Sequence, residues 1–301
     1  MIIEVTDLVK RYGDVVAVDH LSFEVREGEI FGLLGPNGAG KTTAIRVIMD
    51  ILAPDQGEVK VLGQPPGQAK GQVGYLPEER GLYRDLKVMQ TLVYLAELKG
   101  VDRKTARQSA MAWLDKVQLA DWADRKVRDL SRGMQQRLQL VASLVHDPEV
   151  IFLDEPFQGQ DPVNVERLKG LIGGLQAQGK TIILSSHQMN LVEALCDRIL
   201  LLHRGEAVLY GLLSEIKKEH APNVVRVRAQ DLPLDLPGIL RAEPDDGGVN
   251  LTLAPDVSPQ DLLTALVDRN VIVTTFEVSP VPLEDIFVNA VSGEEETYEL
   301  A

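Results

Sequence analysis

The eight residues "GPNGAGKT", Gly35 to Thr42, decide how the rest of the chain is read. They fit the pattern G-x-x-x-x-G-K-[ST], whose four fixed positions arise by chance in roughly 1 of 100 chains of this length. The context is the one the chemistry needs. The apolar run "IFGLL" enters the loop as a strand, and a helix is expected to leave it from Lys41 to about Leu52, before Pro54. Glycines let the backbone N–H groups close into a nest around phosphates, and the following helix dipole favours the anion. Gly35, Pro36, Asn37, Gly38, Ala39, Gly40, Lys41, Thr42 and Thr43 are therefore the expected nucleotide-binding residues. Lys41 would reach the β- and γ-phosphates, and the Thr42 hydroxyl would ligate Mg²⁺.

"VIFLDEP", Val150 to Pro156, supplies a second element. An apolar strand ending in Asp154 delivers a carboxylate to the C-terminal edge of a parallel sheet, where ligands of such sheets bind. Asp154 would hold Mg²⁺ directly or through water, and Glu155 would polarise an attacking water.

Outward from these two motifs the chain alternates. Residues 2–6 and 16–34 read as strands, 57–76 as short strands with turns, and 86–146 as three or four helices. Strand and helix then alternate from "VIFLD" through 162–178, "TIILSS" and 188–196 to "RILLLH", which implies a parallel sheet covered by helices. The pattern shifts at "EHAPN", residues 219–223. Beyond it, strands are expected at 224–229 and 249–253, a helix from the Ser258-Pro259 cap to about Arg269, a strand in "VIVTTFEV", and a helix at 283–291. The domain expectation is thus 1–220, with a helical insertion at 86–146, a small α+β domain at 222–292, and an acidic, solvated tail at 293–301.

With 31 Lys and Arg against 45 Asp and Glu, the net charge of −14 argues against nucleic acid as an obligate partner. The single cysteine, Cys196, allows no internal disulfide. The first residues carry acidic groups and no apolar core, so no secretory signal is expected. The apolar runs are too short to span a bilayer, which leaves docking on a membrane protein open.

The order of motifs resembles that of the ATP-binding subunits of ABC transporters over residues 1 to about 220. Tyr12 stands where that family has an aromatic residue, followed by the phosphate loop and by Glu78 in "YLPEERGLY" at the Gln-loop position. Then come "LSRGMQ" at the signature, "FLDEP", the D-loop "GQDP", and His187 in "SSHQ". The resemblance implies an α/β fold with a P-loop NTPase core on a parallel sheet, an N-terminal antiparallel β subdomain and an inserted helical subdomain. It implies that Tyr12 stacks on adenine, that Lys41, Glu155 and His187 serve catalysis, with His187 on the γ-phosphate, and that Asp161 organises contact with a partner subunit. Ser131 and Gly133 would meet the γ-phosphate held by the other subunit of a homodimer or heterodimer. The resemblance further implies ATP and Mg²⁺ as cofactors and an integral membrane permease as partner, which would place the chain in the cytoplasm, peripheral to the membrane's cytoplasmic face.

This sequence departs from the family at Glu78, Arg132, Met134, Gln158 and Gln160. A carboxylate at 78, about 6 Å from a phosphate charge, would be repelled by roughly 3 kcal/mol at an effective dielectric of 20. A nearby Mg²⁺ would attract it and could offset that cost, so Glu78 is read as a metal- or water-contacting residue, a role Glu79 could share; packing of the helical lid against a permease is the alternative. "YLPEERGLY" and "VPLEDIFVNAV" resemble the branch serving sodium and drug exporters, which implies export of ions, drugs or other small molecules. A GTPase would need an Asn-Lys-x-Asp element, and no Asn-Lys pair occurs. The alternative is a non-transport ABC ATPase acting on a cytoplasmic complex; the DNA-repair type inserts long coiled coils and the ribosome type carries two ATPase halves, and this sequence shows neither.

Overall fold

The computed structural model describes residues 1–79, 81–219, 224–229, 232–236, 238–245, 248–254, 256–278 and 282–298. The chain divides into two compact units, Met1–Leu213 and Ser214–Ala301.

The first unit opens with β1 (Ile3–Tyr12) and β2 (Val15–Val25), an antiparallel pair joined on the far side of β1 by β4 (Gln56–Val61). Between them lie β3 (Ile30–Leu34) and α1 (Lys41–Ile48); α2 (Pro66–Ala69) and β5 (Val73–Leu76) follow. Three longer helices come next: α3 (Val88–Leu98), α4 (Arg103–Lys116) and α5 (Arg132–Leu144). The chain then returns through β6 (Val150–Asp154), α6 (Pro162–Gln176), β7 (Thr181–Ser186), α7 (Met189–Leu195), β8 (Arg198–His203) and β9 (Glu206–Leu212).

The main sheet has the order β5-β6-β7-β3-β8-β9, parallel except for β9. Every residue of β3, β6 and β7 is buried, which is why these strands are unbroken apolar runs. Their adjacency matters most for function. The pairings Leu34↔Ser186 and Asp154↔Ser185 bring the three strand ends level, so the loops that follow emerge side by side. One core joins the antiparallel sheet, α1 and the main sheet through Ile3, Phe23, Phe31, Ile45 and Phe152. The helical block has its own core around Leu92, Ala110, Leu114, Leu138 and Val141, as an inserted subdomain requires. Cys196 follows α7 and is buried against the Gly32 backbone of β3, and burial pushes its thiol pKa up.

In the second unit, α8 (Leu213–Glu219) leads to β10 (Val224–Ala229), β11 (Ile239–Asp245), β12 (Gly248–Leu253), α9 (Pro259–Asp268), β13 (Val273–Val278) and α10 (Leu283–Tyr298). The antiparallel order is β11-β12-β10-β13, and Leu262 and Leu266 of α9 pack on Val225, Val227, Leu251 and Leu253. Ser258 and Asp261 form the capping box that opens α9, with Pro259 in its first turn.

Several boundaries differ from expectation. Helix α1 ends at Ile48 rather than Leu52, because Asp50 turns left-handed (φ 55°) and the N–H groups of Ile51 and Leu52 both return to the Arg46 carbonyl. Strands β9 and β11 were not expected. Both are edge strands, where half-exposed side chains and Pro244 are tolerated and the apolar signal fades. Helix α8 was likewise unforeseen, a short polar turn of helix with Lys217 and Lys218 at its end. Helix α10 continues past residue 291 to Tyr298, through the glutamates of the expected tail, which are good helix formers. The last three residues of that tail, and 220–223 of the expected change in pattern, lie outside the described residues.

Candidate functional site

The loop between β3 and α1 is shaped by two glycines that no other residue could replace. Gly35 (φ 144°) and Gly40 (φ 107°) hold backbone conformations that L side chains rarely adopt, and a Cβ there would collide with the carbonyl oxygens of Leu202 and Ala17, respectively. Gly40 is also the N-cap of α1 and offers no side chain, so the first-turn N–H groups stay available to a ligand. The loop encloses a cavity of about 320 Å³ bounded by Pro36 to Thr43, Ala17, Glu78 and Glu155.

Lys41 projects back over this loop. Its Nζ donates to the carbonyls of Gly35 (2.7 Å) and Pro36 (3.1 Å) and lies 3.4 Å from Glu155 Oε1. Both partners of this ion pair are about 6% exposed. Glu155 itself sits in the left-handed region (φ 47°), a conformation that costs a non-glycine residue and gathers at functional turns. Its N–H donates to Ser185 Oγ at 2.9 Å, and its Oε2 meets His187 Nδ1 at 2.9 Å. Oε1 is buried and faces Lys41 as an ion pair but accepts no hydrogen bond, so a lone pair is left for a ligand or a water.

Asp154 accepts hydrogen bonds at Oδ1 from Ser185 Oγ (2.6 Å) and Thr42 Oγ1 (3.3 Å), while the Tyr75 hydroxyl lies 3.5 Å from Oδ2. Burial, reinforced by the charge of Asp154, pushes the Tyr75 pKa up to about 12, so it stays protonated and donates. The donors grouped here are hydroxyl and carboxylate oxygens, the hard set that Mg²⁺ prefers. Among the described residues no group of three or more His, Cys, Asp or Glu could hold a metal.

Comparison with known proteins gives this arrangement its family. The ABC transporter family profile matches residues 18–158, and that of the ATP-binding protein DrrA1-3-like, C-terminal domain, matches residues 211–291. The chain is 39% identical to the uncharacterized ABC transporter ATP-binding protein YhaQ of Bacillus subtilis, over 95% of this chain and 97% of that one. The chain belongs to the ABC transporter ATP-binding proteins. It is also 34% identical to the Nod factor export ATP-binding protein I of Burkholderia orbicola, over 97% of both chains. Among solved structures it is similar to an ATP-binding subunit of an ABC transporter, with a TM-score of 0.68 and 29% identity over 73% of this chain and 93% of that one. It is similar as well to cbiO1 of Clostridium perfringens, part of the cbiONQ complex, with a TM-score of 0.64 and 26% identity over 72% and 91%.

As an ABC ATPase the chain belongs to a family that binds and hydrolyses ATP, and no helix among its described residues is long and apolar enough to cross a membrane. Within this ABC subunit Pro36 to Thr43, Glu78 and Glu155 line one cavity, and Gly35, Asp154 and His187 are bonded to its lining through Lys41, Thr42 and Glu155, respectively. The structure does not bring Tyr12, Ser131 or Gly133 there. Tyr12 is exposed at the end of β1, and Ser131 is the exposed N-cap of α5, accepting the Met134 N–H at 3.4 Å. Gly133 follows in that first turn with open space around it. Asp161 caps α6 by accepting the Asn164 N–H at 3.0 Å. Met134 packs on the helical core, which accounts for an apolar residue there; nothing in the structure explains Arg132.

Sequence reading missed Ser185 and Tyr75, which tie Asp154 down, and Ala17, whose carbonyl backs Gly40. The signal for Ser185 was present in "TIILSS", since a hydroxyl at the end of a buried strand needs a partner on the neighbouring strand.

Proposed function

We propose that this chain hydrolyses ATP to power a separate membrane permease, in an export-type transporter, with two ATP-binding subunits paired head to tail at the cytoplasmic face. The observation that carries this reading is the buried Glu155 carboxylate at the edge of the phosphate loop, with Oε2 on His187 and Oε1 facing Lys41 as an ion pair but accepting no hydrogen bond. When ATP enters, Lys41 exchanges its carbonyl and carboxylate partners for the β- and γ-phosphate oxygens. Thr42 and Asp154 would hold Mg²⁺, which when bound offsets phosphate charge. Glu155 accepts a proton from the attacking water, and His187 orients that carboxylate and meets the γ-phosphate. Tyr12 stacks on the adenine. Ser131 and Gly133, at an open helix N-terminus outside their own subunit's cavity, serve the γ-phosphate of the second subunit. Export is supported by the full-length likeness to a Nod factor export subunit, and a permease by the likeness to a member of the cbiONQ complex.

The test is co-expression with a candidate membrane permease, followed by ATP-driven flux in inside-out vesicles. Flux should appear with the unaltered chain and vanish with Lys41→Ala, which should also lose ATP binding. A chain that hydrolyses ATP but neither binds nor drives any membrane protein would refute the transport reading.

A further inference from the structure

Gln139 is one of few polar side chains buried in the first unit, 6% exposed in the middle of α5. A buried amide must find partners, and these are specific. Its Nε2 donates to the carbonyls of Pro77 (3.2 Å) and Glu79 (2.8 Å), the residues on either side of Glu78. Only a side chain with two N–H bonds on one nitrogen, and no charge, can serve both carbonyls without altering the field of a cleft that already holds Glu78, Asp154 and Glu155. Gln136 lies one turn earlier on the same face of α5, its Nε2 3.5 Å from the Pro156 carbonyl. One helix therefore touches both banks of that cleft, the Pro77–Glu79 loop and the turn after Glu155.

We propose that Gln139 is a positioning residue for ATP hydrolysis: its paired hydrogen bonds fix the Glu78 loop, and with it the Glu78 carboxylate, opposite Asp154 and Glu155. This rests on the reading of Glu78 as a metal- or water-contacting residue. It also gives α5 a second duty, because the helix whose first turn carries Ser131 holds the Glu78 loop of its own subunit.

The test compares the full-length chain with Gln139→Leu, Glu78→Ala and the double variant. Gln139→Met is the substitute if the leucine variant fails to fold. In Gln139→Leu, deuterium uptake of the segment 76–86 without nucleotide should rise while segments of β6 and β7 stay unchanged. Equilibrium ATP affinity should stay within about twofold and kcat should fall about tenfold, the loss expected from removing a pair of hydrogen bonds. In the Glu78→Ala background, adding Gln139→Leu should cost nothing further. Unchanged deuterium uptake, or losses that multiply in the double variant, would overturn the proposal alone. A Glu78→Ala variant with full kcat would overturn the proposal together with the reading of Glu78.

Discussion

Replacing Glu155 by glutamine separates holding ATP from cleaving it. The substitution keeps the shape of a side chain that is 7% exposed and keeps an oxygen that can face His187, so the fold should survive. It removes the charge that holds Lys41. At 3.4 Å and an effective dielectric of 20, that attraction is about 5 kcal/mol before the opposing cost of burying both charges is counted. ATP must displace this contact to gain the lysine, so the variant should bind ATP as tightly as the parent chain or more tightly. Turnover moves the other way. Losing a positioned general base costs about 10²- to 10⁴-fold, or about 3 to 5 kcal/mol of barrier. Phosphate release under saturating MgATP measures the second effect, and titration with a fluorescent nucleotide measures the first. Turnover within threefold of the parent would remove Glu155 from the chemistry. A tenfold loss of affinity with normal turnover would make it a nucleotide-binding residue instead.

Three further outcomes follow from the same geometry. Ser131→Arg should abolish ATP-driven pairing of subunits and ATPase activity while leaving ATP binding to the monomer intact; sedimentation with and without ATP decides, and unchanged pairing would reduce Ser131 to its cap on α5. Gly35→Ala forces a Cβ onto the Leu202 carbonyl at a left-handed φ, and should lower stability by about 2 kcal/mol and empty the loop of nucleotide. A normal melting temperature with normal ATP affinity would contradict the argument. His146 donates from Nε2 to the Val73 carbonyl and buries an unpartnered Nδ1, and burial pushes its pKa down to about 4. The unfolded chain therefore takes up this proton first as pH falls. Its contribution is complete above pH 6.5 and is lost progressively down to pH 4, by up to about 3 kcal/mol. Urea midpoints across that window should slope less in His146→Gln; an identical slope would show that another group carries the acid sensitivity.

The parts of the fold readable in the sequence were those set by local chemistry. "GPNGAGKT" announces its own turn, and "VIFLD" and "TIILSS" are apolar enough to be central strands wherever they occur. Edge strands β9 and β11 gave no comparable signal, because half their side chains face water. Long-range register was hidden as well. Ser185 meets Asp154 across 31 residues, and Gln139 meets Pro77 across 62, pairings created by strand order and helix docking rather than by any spacing in the chain. Glu155 was legible as a residue, but its left-handed backbone and its contact with Lys41 were not.

The lone cysteine turns the floor of the phosphate loop into something that can be timed. Cys196 Sγ lies where a Gly32 side chain would be, under the strand that leads into Gly35, and burial keeps the thiol protonated and inert. A thiol reagent reaches it only when β3 and α7 part, so labelling under native conditions counts those partings one molecule at a time. Because the chain has no second thiol, the signal needs no background correction. Slower labelling with nucleotide present would measure, in units of protection, how firmly the loop's contents hold down the strand beneath them.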